Sequence, residues 1–200
     1  MIYNYINNNS PHTLIMLHGT GGNEIEMSQF GKKINPHFNI LSLRGNVSEG
    51  GMNRFFKRLG MGIYDLDSYV SETRNLNNAI IKYSNQFNFE LGKSFVIGFS
   101  NGANIALGLI QEYPTLLSTY ILLSPDYINK NKGFKNLTNM NILISSSRND
   151  PYTSYDAILK LENNLKEKGA LVSTFEVPGH VITNELLSEV QLFVKAHRIL

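Results

Sequence analysis

Lys93 to Ala106, KSFVIGFSNGANIA, decides how this chain is read. Ser94 to Phe99 is an apolar run suited to a buried strand. Ala103, Ile105, Ala106, Leu107, Leu109 and Ile110 continue as a helix with a mostly apolar surface. Between them lies Gly98-Phe99-Ser100-Asn101-Gly102, a match to G-x-S-x-G. In that motif the serine sits on a sharp strand-to-helix corner. Glycines at both ends let strand and helix approach closely. Backbone N–H groups at the start of the helix face outward, ready for developing negative charge. The bland alternative is a glycine-rich turn in an ordinary strand–helix unit.

Working outward, the chain alternates strands and helices. Residues 1–12 allow a short edge strand and then the polar turn Asn7-Asn8-Asn9-Ser10-Pro11. Thr13 to Leu17, TLIML, is continuously apolar, as a central parallel strand buried on both faces must be. The loop His18-Gly19-Thr20-Gly21-Gly22 follows it, and Asn23 is placed to cap a helix over Glu24 to Lys33. Strands are expected at 38–43, 119–123, 141–145 and 170–177, and helices at 65–87, 154–168 and 184–196. Gly169 is a natural helix stop. Residues 44–63 hold five glycines and no clean period, and 127–139 are polar and irregular. This pattern predicts one α/β domain over 1–200, a mostly parallel sheet covered by helices on both faces.

Composition narrows the class. Apolar residues make up 42% and charged residues 17% of 200 positions, which are globular values. With no cysteine there is neither a disulfide framework nor a thiolate metal site, which fits a cytoplasmic location. No leader peptide and no membrane-length apolar stretch is expected, so membrane insertion is not anticipated. The net charge is +2 and the basic residues are scattered, which gives nucleic-acid binding little support.

A serine hydroxyl needs a base, and the base an acid to orient it. In an open parallel sheet these groups gather beyond the carboxyl ends of strands. Of five histidines, His12 is at the wrong end of its strand, His37 lies in a connection, and His197 is in the last helix. His18 follows a strand, but its glycine loop suggests a structural role. His180 follows the last strand in a Pro-Gly-His turn and is the favoured base. Asp126 and Asp150 both follow late strands, and both keep the order Ser, Asp, His. Asp150 is preferred and Asp126 stays as the alternative. Oxyanion donors are assigned to the N–H groups of Asn101 and Thr20. Read alone, the glycine loop could cradle phosphate, but it has neither G-x-x-x-x-G-K-[ST] nor G-x-G-x-x-G spacing.

LHGTGGNE, GFSNGA, the Asp150 turn and Pro178-Gly179-His180 together resemble the α/β-hydrolase superfamily. Within it the chain is similar to the phospholipase/carboxylesterase family, on its dienelactone-hydrolase-like carboxylesterase branch. LRGNVSEGGMNRFFKRLGMGIYD, 43–65, resembles that branch too. The resemblance covers about residues 13–193. It implies an α/β-hydrolase fold, hydrolysis of carboxylic esters or sometimes thioesters, and no cofactor or metal. It matches Ser100 to the nucleophile, Asp150 to the acid, His180 to the base, and Thr20 and Asn101 to the oxyanion donors. Thioesterase members usually carry glutamine where this chain has Asn101, which argues against a lipid-thioesterase role. The expectation is a serine carboxylesterase for small soluble esters, with a lactone, thioester or peptide hydrolase, or a non-catalytic ligand-binding protein of the same fold, as rivals. Monomer and homodimer both stay open.

The chain is too short for a separate cap domain, so residues 44–63 are expected to shape the pocket. Two readings stand side by side. Phe55 and Phe56, with Met52 and Met61 near, wall the substrate site, while Arg44 or Arg54 holds a substrate carboxylate or pairs with Glu49. Alternatively the phenylalanines are satellite core and the arginines are solvated.

Overall fold

The computed structural model describes residues 1–60 and 62–198. Its centre is a seven-stranded sheet. In chain order the strands are β1 (Tyr3–Ile6), β2 (Thr13–Leu17), β3 (Asn39–Leu43), β8 (Ser94–Phe99), β9 (Thr119–Leu123), β10 (Asn141–Ser146) and β11 (Leu171–Glu176). Their spatial order is β1-β3-β2-β8-β9-β10-β11. Only β1 is antiparallel, paired with β3 at the edge. Every residue of β2, β3 and β9 is buried, which explains their unbroken apolar character.

Side chains along each strand alternate between two cores. Ile15, Leu17 and Val96 face one side with α2 (Leu66–Phe87), α3 (Asn101–Glu112) and α4 (Tyr155–Glu167). Leu14, Met16, Phe95 and Ile97 face the other with α1 (Glu24–Ile34) and α5 (Asn184–Ala196). The expected Asn23 cap holds, and two further helices are capped in the same way. The Asn23 carboxamide accepts from Ile25 N and Glu26 N, the Asp65 carboxylate from Ser68 N, and the Thr183 hydroxyl from Leu186 N. No helix among the described residues is long and apolar enough to cross a membrane.

Register aligns the carboxyl ends. Leu17 pairs with Leu43 on one side and Gly98 on the other, Phe99 with Leu123, and Ser146 with Glu176. The segments that follow β2, β8, β10 and β11 therefore emerge along one edge. Strand order reverses at β2, which has β3 on one flank and β8 on the other. A crevice at such a switch point is where open α/β sheets place ligands.

Residues 44–63, expected to be irregular, instead form short pairs. β4 (Val47–Glu49) and β5 (Met52–Arg54) make a hairpin, and β6 (Arg58–Gly60) pairs with β7 (Ile63–Tyr64). Gly50 and Gly51, at φ +56° and +82°, supply the two positive-φ positions that a tight hairpin turn requires. Strands of two or three residues are too short for a period of two to register in sequence.

Candidate active site

Ser100 sits between β8 and α3 with φ +51° and ψ −115°, a conformation non-glycine residues rarely adopt. Its N–H donates to the Leu123 carbonyl at 2.8 Å, and its own carbonyl accepts from Asn104 N at 2.9 Å. Both flanking glycines are sterically required. A Cβ on Gly98 would lie 2.4 Å from the Gly102 carbonyl oxygen, and one on Gly102 would lie 2.2 Å from the Leu17 carbonyl oxygen. The corner is thus clamped between neighbouring strands and its own helix.

His180 and Asp150 meet although they follow different strands. His180 Nδ1 lies 2.7 Å from Asp150 Oδ2. An ionised carboxylate only accepts, so Nδ1 is the donor of that bond, and in the neutral ring Nε2 is the acceptor nitrogen. Asp150 Oδ1 accepts from Tyr152 N at 2.8 Å and Thr153 N at 3.2 Å, and the side chain is 3% exposed. The carboxylate is therefore fixed on both oxygens. The imidazole meets Tyr152 edge-on, at 4.8 Å between ring centroids, and Phe99 at a tilt, at 5.2 Å.

The alternative acid has other partners. Asp126 takes a hydrogen bond from the Tyr64 hydroxyl, and burial raises its pKa above the usual carboxylate value. Its N–H donates to Asn104 Oδ1 at 2.6 Å. Tyr64 is pushed up to about 12, by burial first and then by the Asp126 charge. Asp150, not Asp126, is the carboxylate at His180.

His18 behaves as the buried structural residue its loop suggested. Nδ1 donates to the Gly19 carbonyl at 2.7 Å, and Nε2 accepts from Gly45 N at 3.0 Å. Burial lowers its pKa, which keeps the ring neutral as that acceptor requires. His12 stacks on Phe38 at 4.8 Å, and His197 bonds the Phe193 carbonyl at 2.9 Å. Neither lines the cleft.

A cleft of about 630 Å³ opens over Ser100, and Thr20, Asn101, Asn104 and His180 share its lining. This size suits a small ligand. Its outer wall is Met52, Arg54, Arg58 and Tyr64, all from the 44–63 segment or the residue after it, faced by Pro151 and Tyr152. Only part of that wall was legible in sequence. Arg54 lines the cleft as expected, but Tyr64 and Tyr152 carried no sequence signal beyond following strands or turns.

Three expectations about the wall are corrected. Phe55 and Phe56 are fully buried in the α2–α3 core and do not line the cleft. Adjacent residues of an extended segment point opposite ways, but here both rings lie under the segment, Phe56 edge-on to Tyr69 at 5.0 Å and Phe55 against His18 at 4.7 Å. Arg44 is held by Glu24 in the first turn of α1, at 2.5 and 2.7 Å, rather than by Glu49 or a ligand. That guanidinium keeps the Glu24 carboxyl below the usual range. Met61 lies outside the described residues.

The wall is tied to the glycine loop. Arg54 Nη1 donates to the Thr20 hydroxyl at 2.7 Å, Gly21 N to the Asn53 carbonyl at 2.9 Å, and Asn53 Nδ2 to the Gly22 carbonyl at 2.9 Å. Phe55 N donates to Asn101 Oδ1 at 2.7 Å, beside the Ser100 corner. One segment thus braces both loops assigned to the oxyanion.

Comparisons with known proteins show the family and the fold. Residues 6–198 match the family described as Phospholipase/Carboxylesterase. The chain is 34% identical over 180 residues, 90% of each protein, to MhqD of Bacillus subtilis (strain 168), which is named as a hydrolase. It superposes on the Bacillus cereus carboxylesterase with a TM-score of 0.91 at 30% identity, covering 97% of this chain and 93% of that one. YahD, solved with malic acid, superposes with a TM-score of 0.90 at 25% identity over 98% and 99% of the two chains. With the switch-point cleft, the strained Ser100 corner and a family match that spans nearly its whole length, the chain belongs to the phospholipase/carboxylesterase family of α/β-hydrolases.

Proposed function

We propose that the protein is a serine carboxylesterase for small soluble esters, with Ser100, His180 and Asp150 as its triad. The observation that carries this reading is the 2.7 Å His180–Asp150 bond, which engages Nδ1 and leaves Nε2 as the base nitrogen of the neutral ring, on a histidine that lines the same cleft as Ser100. Ser100 Oγ attacks the ester carbonyl carbon and its proton passes to His180 Nε2. The carbonyl oxygen becomes an oxyanion received by the N–H groups of Thr20 and Asn101, the latter at the positive end of α3. Collapse expels the alcohol, which takes the proton from Nε2, and leaves acyl-Ser100. Water then attacks, giving its proton to Nε2. The second collapse releases the acid and returns the proton to Ser100 Oγ.

Cleft size supports small esters over long lipid chains, and YahD, a neighbour of the same fold, was solved with malic acid, a small polar molecule. A lactone would enter the same first step. The test is fluorophosphonate labelling with mapping of the adduct. Label on Ser100, and loss of both label and ester turnover in Ser100→Ala with the fold retained, is the expected result. Labelling that persists in Ser100→Ala overturns the assignment.

A further inference from the structure

The charged groups of the cleft wall already have partners. Arg54 is engaged by the Phe56 carbonyl, the Thr20 hydroxyl and Glu49, and Glu49 also pairs with Arg58. Asn104 is different. It lines the cleft yet is only 5% exposed. Its backbone is fixed twice, since its N–H donates to the Ser100 carbonyl at 2.9 Å and its carbonyl accepts from the Tyr69 hydroxyl at 2.8 Å. Its carboxamide is fixed as well. Asp126 N lies 2.6 Å from one side-chain atom, and a backbone N–H only donates, so that atom is the oxygen. Nδ2 then points away from Asp126, and no described residue accepts from it. Nor is it sealed in the interior, as Asn101 Nδ2 is. A nearly buried amide with unspent donors on a cleft wall is offered to whatever fills the cleft.

Tyr64 lines the same cleft and meets the same aspartate. Its hydroxyl gives its proton to the Asp126 carboxylate, so the oxygen has lone pairs left for a further partner. Burial and the Asp126 charge push Tyr64 up to about 12, which keeps the phenol neutral at pH 7. Asp126 thus orients both groups, one through its N–H and one through its carboxylate. A ligand carboxylate would match only the amide donor and would meet the Asp126 charge behind it. A hydroxyl matches both groups, because it accepts from Nδ2 and donates to the tyrosine oxygen. The pair is close to Ser100, since Asn104 is one turn further along α3, about 6 Å of helix rise.

We propose that the preferred substrates carry a neutral hydroxyl a few atoms from the scissile carbonyl, and that Asn104 Nδ2 and the Tyr64 oxygen receive it. The kinetic part of this inference rests on the esterase reading above, and the binding part does not. The hydroxyl can sit on either side of the ester bond. An ester of a hydroxy acid places it on the acyl side, and a monoester of a diol places it on the alcohol side. Replacing either residue also disturbs Asp126, so a single rate would not separate recognition from packing. The diagnostic quantity is therefore a ratio between two substrates of equal size.

The experiment compares kcat/KM within pairs that exchange one hydroxyl for one methyl, in the wild type and in Asn104→Leu. For the acyl side the pair is methyl 3-hydroxybutanoate against methyl 3-methylbutanoate. For the alcohol side it is 2-hydroxyethyl acetate against propyl acetate. In at least one arm the wild type should prefer the hydroxy ester about tenfold or more, and Asn104→Leu, similar in size but without the donor, should lower that preference about tenfold, the range of a neutral hydrogen bond. The arm that shows the preference identifies the side. Lost packing alone would slow both members of a pair by the same factor. No preference in either arm, or a preference that survives Asn104→Leu, overturns the proposal. Leucine also removes the acceptor of Asp126 N, so if that variant does not fold, Tyr64→Phe takes its place with the same two outcomes. Ligand-observed NMR titration of the same esters into Ser100→Ala reads the site without catalysis. Should the wild type turn over no ester, a hydroxy ester bound about tenfold tighter than its methyl partner, with the difference lost on adding the Asn104 or Tyr64 change, upholds the hydroxyl site, and the esterase reading alone fails. Equal binding of the two in that case overturns both. Turnover of the methyl esters with no advantage for the hydroxy esters leaves the esterase standing and removes the hydroxyl site.

Discussion

Arg54 and Thr20 are 34 positions apart, yet Arg54 Nη1 donates to the Thr20 hydroxyl at 2.7 Å. The contact joins the end of the β4–β5 hairpin to the loop after β2. It makes the outer wall of the cleft and the loop proposed to receive the oxyanion a single braced unit. Thr20→Val keeps the backbone N–H and the approximate shape but removes the acceptor. With the loop less well held, kcat should fall about tenfold, by the same factor for every ester, while thermal stability changes little. Unchanged kcat would mean that the Asn53 contacts hold the loop alone.

Asp150→Asn should lower turnover by about 10⁴-fold, because the amide can present an N–H to His180 and favour the wrong tautomer. Asp126→Asn should do far less, since Asp126 meets Tyr64 and not His180. Steady-state kinetics on the two purified variants ranks them, and the opposite ranking would move the acid to the end of β9.

The glycines of the corner are predicted to be essential to folding, not only to activity. In Gly98→Ala the new methyl would meet the Gly102 backbone at 2.4 Å, and neither strand nor helix can retreat without losing its packing. Destabilisation of about 3 kcal/mol or more is expected, at the upper end for single overpacking changes. Gly50→Ala meets nothing within 4 Å and carries only the positive-φ penalty of roughly 1 kcal/mol. Urea denaturation of the two variants tests the contrast.

Phe55→Ala and Phe56→Ala should each cost about 3–5 kcal/mol, as cavities in a packed core do. Where the variants remain folded, the ratios between short-chain, long-chain and aryl esters should stay constant. A selective loss for one ester class would return these rings to the pocket.

Stability should fall on the acid side because of His18. Burial lowers its folded pKa, while the unfolded chain has the ordinary value of about 6.5. Below that value the unfolded state takes up a proton that the native ring resists, so the native state is progressively disfavoured as pH falls toward the folded pKa. Above it the contribution is fully present. NMR titration of the His18 ring should give a midpoint below 6.5, and denaturation between pH 8 and 5 should show the matching decline. A midpoint at or above 6.5 would contradict the acceptor role of Nε2 toward Gly45.

Much of this protein is written locally. Strands buried on both faces announce themselves as apolar runs, and TLIML matches β2 residue for residue. Capping is decided within three or four residues, so Asn23 marks its helix in the sequence itself. The Ser100 corner is legible because its strain requires glycines at fixed spacing. Candidates for base and acid follow from chain order and strand ends, which reduces five histidines to one choice and leaves two aspartates. Tertiary structure alone decides between those aspartates, because β10 and β11 are neighbours and bring Asp150 under His180 while β9 sends Asp126 toward Tyr64. The wall is undetermined for the same reason. Whether Phe55 or Arg54 faces the cleft depends on how two tiny hairpins fold back over the sheet edge, and strands of two or three residues carry too little pattern to reveal their direction. Arg44 shows the same limit, since its partner Glu24 lies on a helix that only packing brings near.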